Sequence, residues 1–183
     1  MRYYPVILLL FGCSKPKESD PEAKTARIVN IAITVKDYGV IEAELYPDIA
    51  PKTVDQFLDN IDKGIYTDNR FHRIMDGFMI QGGADYTGTV KNLEGEFASN
   101  QFENNLKHTE GVLSMARARD KNSATSQFFI MVGDAEWLDG EYAAFGKVTK
   151  DLEIVKKIAS DARPVDNNGT IPEEEMPVIE IQR

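Results

Sequence analysis

From Arg27 onward, apolar and polar positions follow a period of two, then of about 3.6, then of two again. Ile28-Val29-Asn30-Ile31-Ala32-Ile33-Thr34-Val35 is rich in β-branched residues and roughly alternating, and Asp37-Tyr38-Gly39 supplies a turn. Val40 to Tyr46 follows with Ile41, Ala43 and Leu45 on one face and Glu42 and Glu44 on the other, which predicts a hairpin with a polar outside. At Pro51 the period changes. Val54, Phe57, Leu58 and Ile61 recur at helical spacing until Gly64 ends the run. A second helix is expected from about Asp151, with Leu152, Val155 and Ala159 as its apolar stripe. There Asp151 would lie at the positive end and Lys156 and Lys157 near the negative end. Short strands are expected at Phe71–Ile74, Phe78–Gly82, Val112–Ala116, Gln127–Met131, Phe145–Val148 and Val178–Ile181. There is no internal repeat and no alternating βαβ series. Two helices among about eight glycine-punctuated strands predict a mainly β fold, an antiparallel barrel or a sandwich.

The first thirteen residues have a different pattern. Arg2, the apolar stretch Val6 to Phe11 and the small Gly12 before Cys13 are the three parts of an export signal. Leu10-Phe11-Gly12-Cys13 resembles a bacterial lipobox, in which cleavage before the cysteine is coupled to its acylation. The expected organisation is therefore a signal peptide over residues 1–12 and a lipidated Cys13 heading a tether to residue 26. A folded domain then occupies 27–183. The segment Ser14–Ala26 holds six charged residues, two prolines and no large apolar side chain, so it cannot bury enough surface to fold. The resemblance implies a domain anchored to the bacterial envelope and facing away from the cytoplasm. Two or more acyl chains hold a protein at a membrane where one does not.

Composition narrows the chemistry. The 183 residues carry 21 Lys plus Arg against 30 Asp plus Glu, a formal charge of −9, which leaves no cation surplus for nucleic acid. Two histidines and one cysteine cannot furnish a structural zinc site or a disulfide framework. G-x-G-x-x-G, P-loop, H-E-x-x-H and G-x-S-x-G strings are all missing, so hydrolase and nucleotide chemistry have no support.

Three stretches combine large apolar side chains with polar groups that are not nucleophiles. They are Phe71-His72-Arg73-Ile74-Met75-Asp76-Gly77-Phe78-Met79-Ile80-Gln81-Gly82-Gly83, the string Ser126-Gln127-Phe128-Phe129-Ile130 with Leu113 to Ala118 before it, and Glu136-Trp137-Leu138-Asp139-Gly140 with Phe145-Gly146-Lys147-Val148 after it. Together with Pro51-Lys52-Thr53-Val54 and Leu106-Lys107-His108-Thr109, they resemble the signature segments of the cyclophilin-type peptidyl-prolyl cis–trans isomerases. The resemblance runs from about Ile28 to Ile181 and implies a closed eight-stranded antiparallel β-barrel capped by two α-helices. By position it makes Arg73 the catalytic guanidinium and Phe78, Met79, Phe129 and Leu138 the pocket for the proline ring. Gln81 would hold the peptide backbone and orient Arg73, while Ala116, Arg117 and Gln127 would line the groove for residues before proline. Trp137 falls where the family has a tryptophan associated with cyclosporin-type inhibitors, and Tyr142 where many members have a pocket histidine. Gly88 is the candidate for a groove-lining glycine, His72 alternates onto the strand face opposite Arg73, and His108 reads as structural.

These residue types suit the implied reaction. Rotation about an X–Pro bond faces a barrier of about 18–20 kcal/mol because resonance is lost on twisting. The twisted state restores lone-pair character to the prolyl nitrogen, so a fixed donor beside it favours the transition state over both planar states. Arginine stays charged and its fork is rigid. No nucleophile, cofactor or metal is required. The expected partners are proline-containing polypeptides, with a monomer as the default state. A module that binds such segments with incidental turnover is the alternative.

Overall fold

The computed structural model describes residues 26–183; the expected signal peptide, Cys13 and all but the last residue of the expected tether lie outside them. Eight strands close into a barrel: β1 (Val29–Val35), β2 (Gly39–Leu45), β3 (Asn69–Met75), β4 (Met79–Gly82), β5 (Val112–Met115), β6 (Phe128–Met131), β7 (Ala144–Lys150) and β8 (Val178–Gln182). The order around it is β1-β2-β7-β5-β6-β4-β3-β8, with every neighbouring pair antiparallel and β8 returning to β1. Closure settles the choice between barrel and sandwich and leaves no open sheet edge.

The expected β1–β2 hairpin forms in register Val35↔Gly39 to Val29↔Leu45. Ile31, Ile33, Val35, Ile41, Ala43 and Leu45 point inward and are buried. The helices α1 (Pro51–Asp62) and α2 (Leu152–Asp161) lay Val54 and Phe57, and Val155, Ile158 and Ala159, onto the same interior cluster. Phe57 is the hinge of that packing: its ring lies 4.8–5.3 Å from those of Tyr66, Phe128 and Phe145. The interior is thus filled by side chains.

Helix α1 starts without a side-chain cap of its own, at Ala50 followed by Pro51. The buried carboxylate of Glu96 substitutes from 44 residues away. It accepts from Lys52 N at 3.0 Å, Thr53 N at 2.8 Å and Thr53 Oγ1 at 2.7 Å. An acid at a helix N-terminus meets the unpaired N–H groups and the positive end of the dipole. Helix α2 departs from the expected charge pattern. Asp151 stands before it in a left-handed conformation (φ 61°) and its side chain caps nothing. The helix runs on to Asp161, so Lys156 and Lys157 fall short of its last turn and pair instead with Glu110 and Asp161.

Candidate active site

The site is built on the outside of the barrel. On β6, Phe128 and Ile130 face the interior while Phe129 and Met131 face out; on β4, Ile80 faces in and Met79 out. A second buried cluster therefore forms on the outer face, from Met79, Val112, Phe129, Met131, Ala135, Leu138 and Ala144. Residues 132–143 cross this face as a cover. Where the cover ends, a cavity of about 190 Å³ remains, lined by Phe78, Met79, Phe129, Leu138 and Tyr142, with Arg73, Gln81, Ala116 and Arg117 completing its wall.

Arg73 reaches this face through a backbone irregularity. Simple alternation would put Phe71 and Arg73 on the same side of β3. The pairing with β4 instead shifts between Phe71↔Gly82 and Arg73↔Gln81, so His72 is an extra residue. Phe71 is consequently fully buried in the interior while Arg73 stands outside beside Gln81. Re-aiming a side chain is what a bulge does. His72 does not face opposite Arg73 as alternation predicted: it sits half-buried against Gln127, and burial foremost pushes its pKa below the usual imidazole value. Gly82 tolerates no side chain, because a Cβ there would stand 2.5 Å from the Arg70 carbonyl.

The guanidinium is held at three corners. Nε donates to the Asn168 carbonyl at 2.7 Å, Nη1 to Gln81 Oε1 at 3.1 Å, and Nη2 approaches Met75 Sδ at 3.2 Å. Arginine only donates, so Gln81 must present its oxygen to Arg73 and its amide nitrogen to Gln127 Oε1, at 3.0 Å. Among the described residues no carboxylate pairs with Arg73, and sulfur is a weak acceptor. The positive charge at the cavity wall is therefore unneutralised, with Nη2 the least committed donor.

The floor has its own support. Beneath Phe129 the imidazole of His108 stacks at 6.2 Å and 22°. His108 Nδ1 lies 3.0 Å from Asp139 Oδ1 and Nε2 lies 2.9 Å from Ser114 Oγ. Burial holds the imidazole below its usual pKa despite the Asp139 contact. For Asp139, burial opposes ionisation, but hydrogen bonds from His108 and Lys107 outweigh it and hold the carboxyl low. The consistent arrangement is a neutral ring donating from Nδ1 to the carboxylate and accepting the Ser114 hydroxyl at Nε2. Ser114, though next to a histidine and an aspartate, is fully buried and serves packing.

The remaining expected residues fall around this centre. Gln127 lines an adjoining groove with Gln81, Ala116, Arg117, Ser123 and Thr125. Tyr142 meets Phe129 edge-on at 6.0 Å. Trp137 lies at the rim rather than in the cavity, 69% exposed and tilted over Phe78 at 5.9 Å. Gly88 lines neither cavity nor groove. Met75, Asn168, Ser114 and Asp139 were missed by the sequence reading. Asn168-Gly169 is a turn-forming pair, but nothing in the sequence marks which side chain the Asn168 carbonyl meets.

Comparison with known proteins places this geometry. Residues 30–183 match the family described as cyclophilin type peptidyl-prolyl cis-trans isomerase/CLD. A peptidyl-prolyl cis-trans isomerase of Acinetobacter baylyi is 36% identical over 164 residues, 85% of this chain and 86% of the relative. Peptidyl-prolyl cis-trans isomerase B of Escherichia coli is 40% identical over 130 residues, 67% of this chain and 79% of its own. A solved cyclophilin type isomerase of Cryptosporidium parvum superposes with a TM-score of 0.71 at 26% identity, covering 85% of this chain and 96% of that one. The same parasite protein, solved in the presence of the dipeptide Ala-Pro, gives 0.68 at 28% identity, covering 84% and 97%. The match runs from the first barrel strand to the last residue, and the chain belongs to the cyclophilin-type peptidyl-prolyl cis–trans isomerases.

Proposed function

We propose that this chain accelerates rotation about X–Pro bonds in proteins folding outside the cytoplasm, without forming a covalent intermediate. The observation that carries this reading is the unneutralised Arg73 guanidinium at the wall of an apolar cavity. A proline ring seated against Phe129, Met79 and Leu138 fixes the C-terminal side of the bond. Rotation then moves the preceding carbonyl along the groove of Ala116 and Gln127. As the nitrogen pyramidalises, Arg73 Nη2 donates toward its emerging lone pair. Because the donor is already fixed by Asn168 and Gln81, little reorganisation is needed in the transition state. The Cryptosporidium protein solved with Ala-Pro supports the choice of proline peptides as ligands. The Leu10-Phe11-Gly12-Cys13 string supports the extracytoplasmic setting, with the charged segment after it as a spacer from the lipid surface.

The test is cis-to-trans exchange of a short X–Pro peptide with the protein and its Arg73→Ala variant. Removing one donor aimed at developing charge is expected to lower kcat/KM by about 10²–10³-fold. Activity within about threefold of the wild type would refute the role of the guanidinium. Tight peptide binding by the wild type without turnover would instead favour the binding-module alternative.

A further inference from the structure

We propose that Asp166 is a positioning residue for Arg73, acting through the turn 166–170. This rests on the catalytic reading of Arg73 above. The Asp166 carboxylate gathers the turn from inside: Oδ1 accepts from Asn168 N and Thr170 N, each at 3.0 Å, and Oδ2 accepts from Thr170 Oγ1 at 2.9 Å. The turn is closed at its base by Val165 N to Thr170 O at 2.9 Å. Its outer edge then docks along β3. Ile74 N donates to Gly169 O at 2.8 Å and Ile171 N to His72 O at 3.1 Å, flanking the Arg73↔Thr170 bridge. One residue before Gly169, the Asn168 carbonyl is delivered to Arg73 Nε.

The docking is close enough to require glycine. Gly169 has φ +85°, and a Cβ on it would stand 2.5 Å from Ile74 O and 2.6 Å from Met75 Cγ. The turn therefore approaches the strand in one way, and the carbonyl that holds Arg73 belongs to the residue just before that glycine. Hydrogen bonds from Thr170, the backbone one foremost, also hold the Asp166 carboxyl below its usual range, so it stays an acceptor at neutral pH. Without Asp166, the Gly169 and Ile171 contacts to β3 remain. The turn would stay attached, but its tip and the Asn168 carbonyl would move. A misplaced guanidinium affects the twisted state and leaves the apolar grip on the proline ring alone.

The experiment compares kcat and KM of the protein with those of Asp166→Ala, Asp166→Asn and Arg73→Ala, and follows the Arg73 Nε–H resonance. Asp166→Ala is expected to lower kcat by about tenfold to a hundredfold, with KM nearly unchanged and the Arg73 resonance shifted. Asp166→Asn keeps an oxygen for Asn168 N and Thr170 N and should restore most of the rate. A role confined to stability would lower the melting temperature without this split between kcat and KM. Wild-type kcat in Asp166→Ala, with Arg73→Ala inactive, overturns the proposal alone. Equal loss in Asp166→Ala and Asp166→Asn also overturns it. An active Arg73→Ala removes the reading on which it rests.

Discussion

Arg117 borders both the cavity and the adjoining groove, and its surroundings give it a measurable role. The guanidinium lies 4.6 Å from the Tyr142 ring centre and 5.2 Å from that of Phe97. Nε and Nη2 both donate to the Glu141 carbonyl, at 3.1 and 3.0 Å, and Nη1 donates to Ala118 O at 3.0 Å. The side chain is only 12% exposed, so water competes weakly. Cation–π contacts contribute about 0.5–2 kcal/mol each and hydrogen bonds to a charged group about 1.5–3, part of which is recovered by rehydration on truncation. The ion pair with half-exposed Glu141 at 3.6 Å adds little. Arg117→Ala should therefore cost about 2–3 kcal/mol, a fall in melting temperature of about 5–10 °C at this chain size. Tyr142 lines the cavity, and on the proposed function loosening it weakens ground state and transition state alike. KM should rise about fivefold while kcat holds. Arg117→Lys keeps the charge but cannot bridge two rings and a carbonyl, so it should recover less than half of either loss. Thermal melts and steady-state exchange on the three proteins are the assay. A melting temperature that falls with KM unmoved would refute the link from Arg117 to the cavity, and no change in either would refute the clamp.

Two further predictions concern stability. Glu96→Ala leaves Lys52 N, Thr53 N and the Thr53 hydroxyl without their acceptor at the start of α1 and should cost about 3–4 kcal/mol in urea unfolding; a loss below about 1 kcal/mol would count against capping from a distance. His72 and His108 are both held below the ordinary value of 6.5 chiefly by burial, so the unfolded chain takes up protons that the folded chain refuses. Stability present above pH 6.5 should decline as the pH falls below it, and a urea midpoint that stays level from pH 7.5 to 5 would contradict this.

Elements of strong periodicity were legible along the chain. The β1–β2 hairpin and both helices follow directly from the spacing of Ile31, Ile33 and Val35, of Val54 and Phe57, and of Val155 and Ala159. What periodicity could not supply was the side of the sheet. Phe129 and Met79 look like core residues by composition and are buried, yet they belong to the outer cluster. The alternation of β6 admits two solutions, and only barrel closure with Phe128 inside selects one. The bulge at His72 is harder still, since nothing in Phe71-His72-Arg73 marks a residue as supernumerary. The family resemblance named Arg73 without a physical account of how it leaves the face of Phe71.

That account bears on what the site can do. An apolar outer face on four adjacent strands is exposed surface unless something covers it, and residues 132–143 cover most of it. The cavity is the remainder, an uncovered margin between the cover and the β3 side of the sheet. One margin is fixed by Arg117, which ties Tyr142 and Glu141 to the segment just after β5. The other is fixed by the 166–170 turn, which ties Arg73 to a segment 95 residues away. The two margins hold different things: the first holds apolar surface, the second a charge. On the proposed mechanism a proline ring is bound equally in cis and trans by the first, and only the twisted amide calls on the second. Disturbing the Arg117 side should therefore appear in KM and disturbing the Asp166 side in kcat, a division that follows from which wall each residue supports.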